Sequence, residues 1–423
     1  MKKEWRIPTS KVMKLFFGIL DEIPVLGRHS IQVAKLSAML GSEMELPMER
    51  IIELYILGGF HDIGLIAPKI RGMEIFEVFE KEKNRSEAII DVMKDDVVFK
   101  EHVDISAKIA STVPMLSNLS GVVGNHHTPA VDLDINLSSI MANIVMMADS
   151  ISMRLMVRDN VPDDEFVEDV LEHIRTGKIL YFPDVREAAK EVIKKEGYMM
   201  LVSDNRLHWD EFVGVETSMD AVNFASALAI MDFFVDSKAK RTRHHSTRVA
   251  FLSREIGKVM LSEAESFGLF IAGRLHDVGK IFLSTDVIEK ASMKDFAYRT
   301  HVIHTYNLLS ETEAFQSITA WAISHHERLD GSGYPWGLKA EDLSIPARIL
   351  QVANSYVALV DSGAEDPISK LDECVREGKL DGNVFLVLKD LIDSGYDVSE
   401  IYDVVELYME EVESGERDLE KAH

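Results

Sequence analysis

The positions of the histidines constrain this chain more than any other feature of its sequence. There are 15 among 423 residues, and ten of them recur in one fixed order, twice. His29-Ser30, His61-Asp62, His102-Val103 and His126-His127 are followed by His245-Ser246, His276-Asp277, His301-Val302 and His325-His326. The offsets between corresponding histidines are 216, 215, 199 and 199 residues. The first copy therefore carries about 16 extra residues between its His-Asp pair and His102, in a stretch that includes the charged run Glu77 to Arg85. Each His-Asp pair follows an apolar run, Ile56 to Phe60 or Leu269 to Leu275, and precedes an apolar residue and a glycine. Five ordered pairs, ten histidines in all, point to an internal duplication. His173, His208, His244, His304 and His423 have no counterpart and are expected at surfaces.

The repeat continues beyond the histidines. Gly177-Lys178-Ile179-Leu180 precedes Asp184-Val185, and Gly378-Lys379-Leu380 precedes Asn383-Val384. The polar stretch between the copies reads as a linker, which gives an N-terminal domain at 1–203, a linker at 204–218 and a C-terminal domain at 219–423. Apolar residues recur at helical spacing after both first histidines: Val33, Leu36 and Leu40, then Val249, Leu252, Ile256 and Val259. No convincing run of strand alternation appears. The expected fold class is all-α, two helical bundles in tandem. Met141, Met146 and Met147 fall in an apolar helical run and read as core packing.

Composition narrows the function. The net charge of −25 argues against a partner such as long nucleic acid or an anionic membrane, which basic faces recognise. Cys374 is the one cysteine, so neither an internal disulfide nor a thiolate metal cluster can form. The apolar run Leu15 to Leu20 is short and is followed by Asp21 and Glu22, which does not fit a signal peptide. No stretch reads as the roughly 18 apolar residues of a membrane span. A cytoplasmic protein is the expectation.

The ordered set in the first copy is His29, His61, Asp62, His102, His126, His127 and Asp149. In the second it is His245, His276, Asp277, His301, His325, His326 and Asn354, the last placed by Ala353-Asn354-Ser355 against Ala148-Asp149-Ser150. A lone histidine on an apolar helix is more often a satisfied core group. Five with two carboxylates, buried together, would leave many polar groups to satisfy, and a cation resolves this. Imidazole and carboxylate donors without cysteine suit Fe, Mn, Zn or Ni. Seven donors suit two divalent ions per intact site, with Asp62 and Asp277 as bridging candidates. Paired ions are a common device for phosphate-ester chemistry, and their charge can draw a small anion to an acidic chain.

The order His, His-Asp, His, His-His, Asp resembles the HD phosphohydrolase superfamily. The second copy resembles its HD-GYP branch through three stretches: Asp236-Ser237-Lys238 leading to His245-Ser246-Thr247-Arg248-Val249, His276-Asp277-Val278-Gly279-Lys280, and His325-His326-Glu327-Arg328 to Asp330-Gly331-Ser332-Gly333-Tyr334-Pro335. The resemblance covers roughly 225 to 420, and the metal pattern carries it more weakly over 10 to 200. It implies hydrolysis of a small cyclic dinucleotide, cyclic di-GMP typically and cyclic GMP-AMP in some relatives, with Fe or Mn the foremost metals. It implies Asp62 and Asp277 as metal-bridging catalytic groups and Lys280 as acid or phosphate contact. It implies Arg328, Gly333, Tyr334 and Pro335 as parts of the substrate pocket.

Neither copy matches the family pattern throughout. The second has Asn354 where the family has a ligand Asp, and Asp361-Ser362-Gly363 where an Arg-x-Tyr-basic stretch is usual. The first keeps all seven ligands but has Leu65 at the position of Lys280 and no Gly-Tyr-Pro loop. Its segment from the His-His pair to the last ligand is shorter by six residues. Arg154 or Arg158 are the available phosphate contacts there, set against an ordinary surface role. Three readings stay open: a cyclic-dinucleotide phosphodiesterase with at least one active copy, a degenerate receptor or interaction protein, and a phosphohydrolase acting on another nucleotide.

Overall fold

The structure is a computed structural model, and it describes residues 6–20, 24–66, 96–158, 161–204, 218–238, 244–290, 295–310 and 315–401. The Glu77–Arg85 run, residues 205–217, His208 and His423 lie outside the described residues. The chain divides into two compact units, Arg6–Asn223 and Phe224 onward. Both are helical.

The first unit contains α1 (Thr9–Leu20), α2 (Pro24–Glu43), α3 (Met48–Phe60), α4 (Asp96–Thr112), α5 (Ser120–Val123), α6 (Leu137–Val157), α7 (Asp164–Thr176), α8 (Pro183–Ile193) and α9 (Glu196–Ser203). Two three-residue strands, Arg6–Pro8 and Ser218–Asp220, pair antiparallel with Arg6 opposite Asp220. They are too short to leave a period-two pattern in the sequence. The second unit contains α10 (Ala221–Lys238, from Phe224 on), α11 (His245–Met260), α12 (Glu263–Leu275), α13 (His301–Ser310), α14 (Gln316–Ala322), α15 (Ile345–Asp361), α16 (Pro367–Arg376) and α17 (Gly382–Asp393).

Local chemistry sets these boundaries. Asn136 accepts from Ser139 N at the start of α6, Asp163 from Phe166 N at α7, and Ser344 from Ala347 N at α15. Ser262 and Glu265 form a capping box at α12. Pro183, Pro346 and Pro367 stand in first turns, where a missing N–H costs nothing.

Each unit is built on a helix pair packed backbone to backbone. A Cβ added at Gly58 of α3 would lie 2.7 Å from Val33 O and 2.8 Å from Ala34 Cα in α2. A Cβ added at Gly273 of α12 would lie 2.4 Å from Ala250 Cα in α11. These glycines permit the close approach that fixes the first histidine of each unit beside its His-Asp pair.

The expected core residues Val33, Leu36, Leu40, Val249, Leu252 and Ile256 are fully buried. Val259 is 65% exposed, because it lies in the last turn of α11, past the packed face. Met141 and Met147 are buried and Met146 is half-buried. The expectation of a surface place fails for His244, which is buried in left-handed conformation (φ 64°) just before α11. His304 is half-buried and stacks on Phe282, ring centroids 5.0 Å apart.

Helix α6, 21 residues, satisfies the length and apolarity of a membrane span, against the expectation that no stretch would. It is a core helix: 67% of its apolar 18-residue window is buried in the protein, and Asn143, Asp149 and Ser152 stand on its buried side.

Candidate metal centres

In the first unit, all seven residues of the ordered set meet in one buried cluster. His29 comes from α2, His61 and Asp62 follow the C-terminus of α3, His102 comes from α4, His126 and His127 follow α5, and Asp149 comes from α6. The Asp62 carboxylate divides the histidines into two sets. Its Oδ2 faces His29 Nε2 at 3.5 Å and His61 Nε2 at 3.3 Å. Its Oδ1 faces His102 Nε2 at 3.2 Å and His126 Nε2 at 3.5 Å. Asp149 joins the first set, with Oδ1 3.2 Å from His29 Nε2, and Asp149 Oδ2 stands 3.8 Å from His127 Nδ1. Two candidate ligand groups result: His29, His61 and Asp149, and Asp62, His102, His126 and His127.

The orientation of the rings has a common cause. His61 Nδ1 donates to Gly58 O (2.8 Å) and His126 Nδ1 to Val123 O (2.5 Å). His276 Nδ1 donates to Gly273 O (2.7 Å), His301 Nδ1 to Tyr298 O (2.5 Å) and His325 Nδ1 to Ala322 O (2.6 Å). Each partner is the carbonyl three residues back, at or near the end of a helix. The bond fixes the tautomer and turns the Nε2 lone pair into the cluster. His29 is held differently: its Nδ1 donates to Ser152 Oγ (2.9 Å), which donates to Gln32 Oε1 (2.7 Å).

The glycine after each His-Asp pair is required by geometry. A Cβ at Gly64 would stand 2.2 Å from His102 O, and one at Gly279 would stand 2.0 Å from His301 O. Gly64 N donates to Ser106 Oγ (2.8 Å), and Gly279 N donates to Thr305 Oγ1 (3.0 Å). The same contact therefore seats the third histidine against the His-Asp pair in both units.

The second unit repeats this arrangement with changes. Asp277 Oδ1 faces His301 Nε2 at 3.4 Å and His325 Nε2 at 3.7 Å, and with His326 these form one candidate ligand group, while His245, His276 and Asp277 form another. Asp277 Oδ2 faces His276 Nε2 at 3.2 Å and also accepts from Lys280 Nζ at 2.5 Å. His245 is bonded on both sides, Nδ1 to Asp361 Oδ2 at 2.7 Å and Nε2 to the Asn354 amide at 2.9 Å. Arg248 Nη1 donates to the other Asp361 oxygen at 2.7 Å.

These donors fit metal ions. Two ligands each about 2.1 Å from one ion stand roughly 3.0–3.4 Å apart, close to most of the separations above. Buried His61 Nε2, Asp62 Oδ1, His126 Nε2 and Asp149 Oδ1 have no hydrogen-bond partner in the first unit, nor do His276 Nε2 and Asp277 Oδ1 in the second. An unsatisfied buried polar atom costs about 1–3 kcal/mol, and a cation among them removes that cost.

Electrostatics of the metal-free chain agree. Burial opposes the charged form of Asp62, but the imidazoles, His61 foremost, outweigh it and hold the carboxyl well below its ordinary range. Burial also opposes ionisation of Asp149, and the His29 ring beside it overcomes this and holds the group at about 2. Burial opposes a charged His29, yet Asp149 and Asp62 raise it to about 9, so a proton there supplies positive charge. In the second unit burial drives His301 down to about 4, and Lys280 adds to the effect. Burial opposes the Lys280 ammonium, while Asp277 and Tyr298 hold it charged, above the usual lysine range.

The Gly-Tyr-Pro loop is tied to the second cluster. Glu327, fully buried, accepts from Trp336 N (2.8 Å) and Leu338 N (2.9 Å). Tyr334 N donates to His326 O (3.1 Å), and the Tyr334 ring stacks on His326 with centroids 4.6 Å apart. The Arg299 guanidinium lies 4.5 Å over the same ring. A Cβ at Gly333 would meet the backbone of Glu327 and Arg328 at 2.4 Å. The Tyr334–Pro335 peptide is cis. Arg328 Nη1 donates to Ser355 Oγ at 3.3 Å, one residue past Asn354.

Arg158 is not brought to the first cluster. It ends α6 nine residues beyond Asp149, about 13 Å along the axis, and pairs with Glu165 Oε1 at 3.2 Å. Arg154 donates to Ser150 O and pairs with Asp169. Sequence reasoning gave no role to Ser152, Asp361, Glu327 or Arg299. Asp361 had a signal, since it lies two helical turns after Asn354 and so shares its face.

Two helical bundles, each closed around a His-Asp centre, define a tandem of HD domains. The HD-domain family model matches residues 26–154, and a second HD-domain model matches 229–384. The chain belongs to the HD-domain family and carries two HD domains in tandem, the C-terminal one resembling the HD-GYP branch. Among known proteins, it is 24% identical to the 3′3′-cGAMP-specific phosphodiesterase 1 of Vibrio cholerae, over 91% of this chain and 92% of that one. It is 32% identical to a cyclic di-GMP phosphodiesterase of Thermotoga maritima, over 36% of this chain and 43% of that one. A crystal structure of a cyclic GMP-AMP specific phosphodiesterase of Vibrio cholerae shares the fold, with TM-score 0.57 and 16% identity, over 94% of this chain and all of that one.

Proposed function

We propose that this chain is a metal-dependent phosphodiesterase that hydrolyses a small cyclic dinucleotide. The observation that carries the reading is the Asp62 carboxylate, which divides two sets of imidazoles between its two oxygens. The likeness to a cyclic-dinucleotide phosphodiesterase across nine tenths of both chains supports it. His29, His61 and Asp149 would hold one divalent ion, Fe or Mn, and His102, His126 and His127 a second, with Asp62 between them. Bound ions supply positive charge for the phosphate oxygens and lower the pKa of water to near neutrality.

The chain's own residues do the rest. The Nδ1 bonds to the carbonyls three residues back hold a proton on Nδ1 and aim Nε2 as the ligand atom. Lys280 keeps a fixed positive charge on the Asp277 carboxylate of the second unit. Tyr334, stacked on His326 and covered by the Arg299 guanidinium, holds the loop at the edge of that centre. Cyclic di-GMP and 3′3′-cGAMP both present a phosphodiester and a guanine, and both are substrates to test.

A second reading has one observation in its favour. In the C-terminal unit the Asn354 amide is bonded to His245 rather than left free as a ligand, which suits a domain that binds nucleotide without cleaving it. Asp62→Asn and Asp277→Asn variants separate the readings. Loss of hydrolysis in either, with the fold retained, assigns turnover to that unit. Unchanged hydrolysis in both removes the phosphodiesterase assignment from these centres.

A further inference from the structure

Resting on the metal-dependent reading above, we infer that the two units hold unequal numbers of metal ions: two in the N-terminal unit and one in the C-terminal unit.

The half of the site built on the His-His pair is the same in both. Asp62, His102, His126 and His127 correspond to Asp277, His301, His325 and His326, and both groups converge within 4.8 Å. The other half differs at three points. First, Asn354 stands where Asp149 stands in the first unit, so one carboxylate and one negative charge are gone. Second, the Lys280 ammonium occupies Asp277 Oδ2, the oxygen that also faces His276. The corresponding residue in the first unit is Leu65, fully buried and without charge, and Asp62 Oδ2 is left to its imidazoles. Third, both nitrogens of His245 are engaged, by Asp361 and by the Asn354 amide. Turning the amide exchanges its oxygen and nitrogen but still leaves a polar partner on Nε2. In the first unit His29 Nε2 faces two carboxylate oxygens instead.

Charge decides between the halves. In the first unit this half has two carboxylates and no fixed cation. In the second it has one carboxylate already paired with an ammonium at 2.5 Å. His245, His276 and Asp277 converge there within 4.8 Å, but a divalent ion among them would meet like charge from Lys280 and would have to displace the Asn354 amide from His245, which leaves His276 Nε2 as the one unbonded imidazole nitrogen of the set. The His301, His325 and His326 half has no such competitor on Asp277 Oδ1. Lys280 therefore takes the place that an ion takes in the N-terminal unit.

The test is a metal count on the full chain, loaded with Mn²⁺, freed of unbound ion and measured by atomic emission, with no nucleotide present. The expected count is about three per chain. Asn354→Asp combined with Lys280→Leu restores the N-terminal pattern, and its expected count is about four. Asp149→Asn, an isosteric change in the N-terminal unit, has an expected count of about two. Four ions in the wild type, three in the double variant with an unchanged circular dichroism spectrum, or three in Asp149→Asn would overturn the inference. Turnover is not read, so a protein that binds three ions and hydrolyses nothing contradicts the proposed function and leaves this one standing.

Discussion

At the scale of single residues, two kinds of position carry the account. Gly64 and Gly279 are glycines because a carbonyl oxygen lies where a Cβ would be, 2.2 and 2.0 Å away. Gly279→Ala is expected to destabilise the chain by about 1–3 kcal/mol, read by denaturant unfolding. Gly121→Ala, where a Cβ meets nothing within 4 Å, is the control expected to change little. Lys280 is the other kind. It forms a buried pair with Asp277, and removing one partner of such a pair costs about 3–5 kcal/mol. In metal-free protein, Lys280→Met is expected to lower stability by that order. Burial opposes ionisation of Asp277, but His276 foremost and then Lys280 hold it well below its ordinary range, and Asp277 in turn raises Lys280 against the effect of burial. The pair's contribution is therefore complete above about pH 4 and below about pH 10, and is lost as acid protonates Asp277. A difference between wild type and Lys280→Met that grows as the pH falls below about 4 would contradict this. The residues that gather at each centre were legible in the sequence because five histidines repeat in order in the two copies. Their partners Ser152 and Asp361 were not, since an imidazole takes any nearby acceptor as its orienting group, and serine and aspartate are common on helices.

At the scale of elements, the loop after His326 is the part that only one unit possesses. Glu327 fastens it through two backbone N–H groups, from Trp336 and Leu338. Glu327→Gln replaces an acceptor oxygen by a donor that opposes an N–H, at a cost near one charged hydrogen bond, about 1.5–3 kcal/mol. The expected result is a rise in KM of about tenfold, with a smaller change in kcat and no change in bound metal; an unaltered KM would show that the loop does not depend on Glu327. The helices were legible through periodicity and caps, and α2 and α11 bury the residues their spacing marks. The short strand pair was not, because three residues carry no period. Neither was the burial of His244, whose place depends on the turn into α11 rather than on any local pattern. Arg158 was set in the sequence as a phosphate contact, but the length of α6 carries it away from Asp149 and into pairing with Glu165.

At the scale of the whole molecule, one fold is used twice and its two copies have diverged in complementary ways. The first retains every carboxylate of the centre. The second retains the lysine and the loop. The duplication was readable at 215 and 199 residues of offset, and so was the all-helical class. What the residues at each centre touch was not, because burial and pairing are tertiary facts. Removing metal tests the common feature of both units. Chelation is expected to lower the thermal midpoint of the full chain by several degrees, since an ion that binds only the folded state stabilises it, and added Mn²⁺ or Fe²⁺ is expected to restore it. The most direct test of the central claim is hydrolysis itself. Metal-replete full chain is incubated with cyclic di-GMP and, separately, with 3′3′-cGAMP, and products are resolved by chromatography beside an Asp62→Asn, Asp277→Asn double variant. The account predicts a linear dinucleotide or mononucleotides from at least one substrate, and none from the double variant. No product from either substrate, or equal product from the double variant, would contradict it.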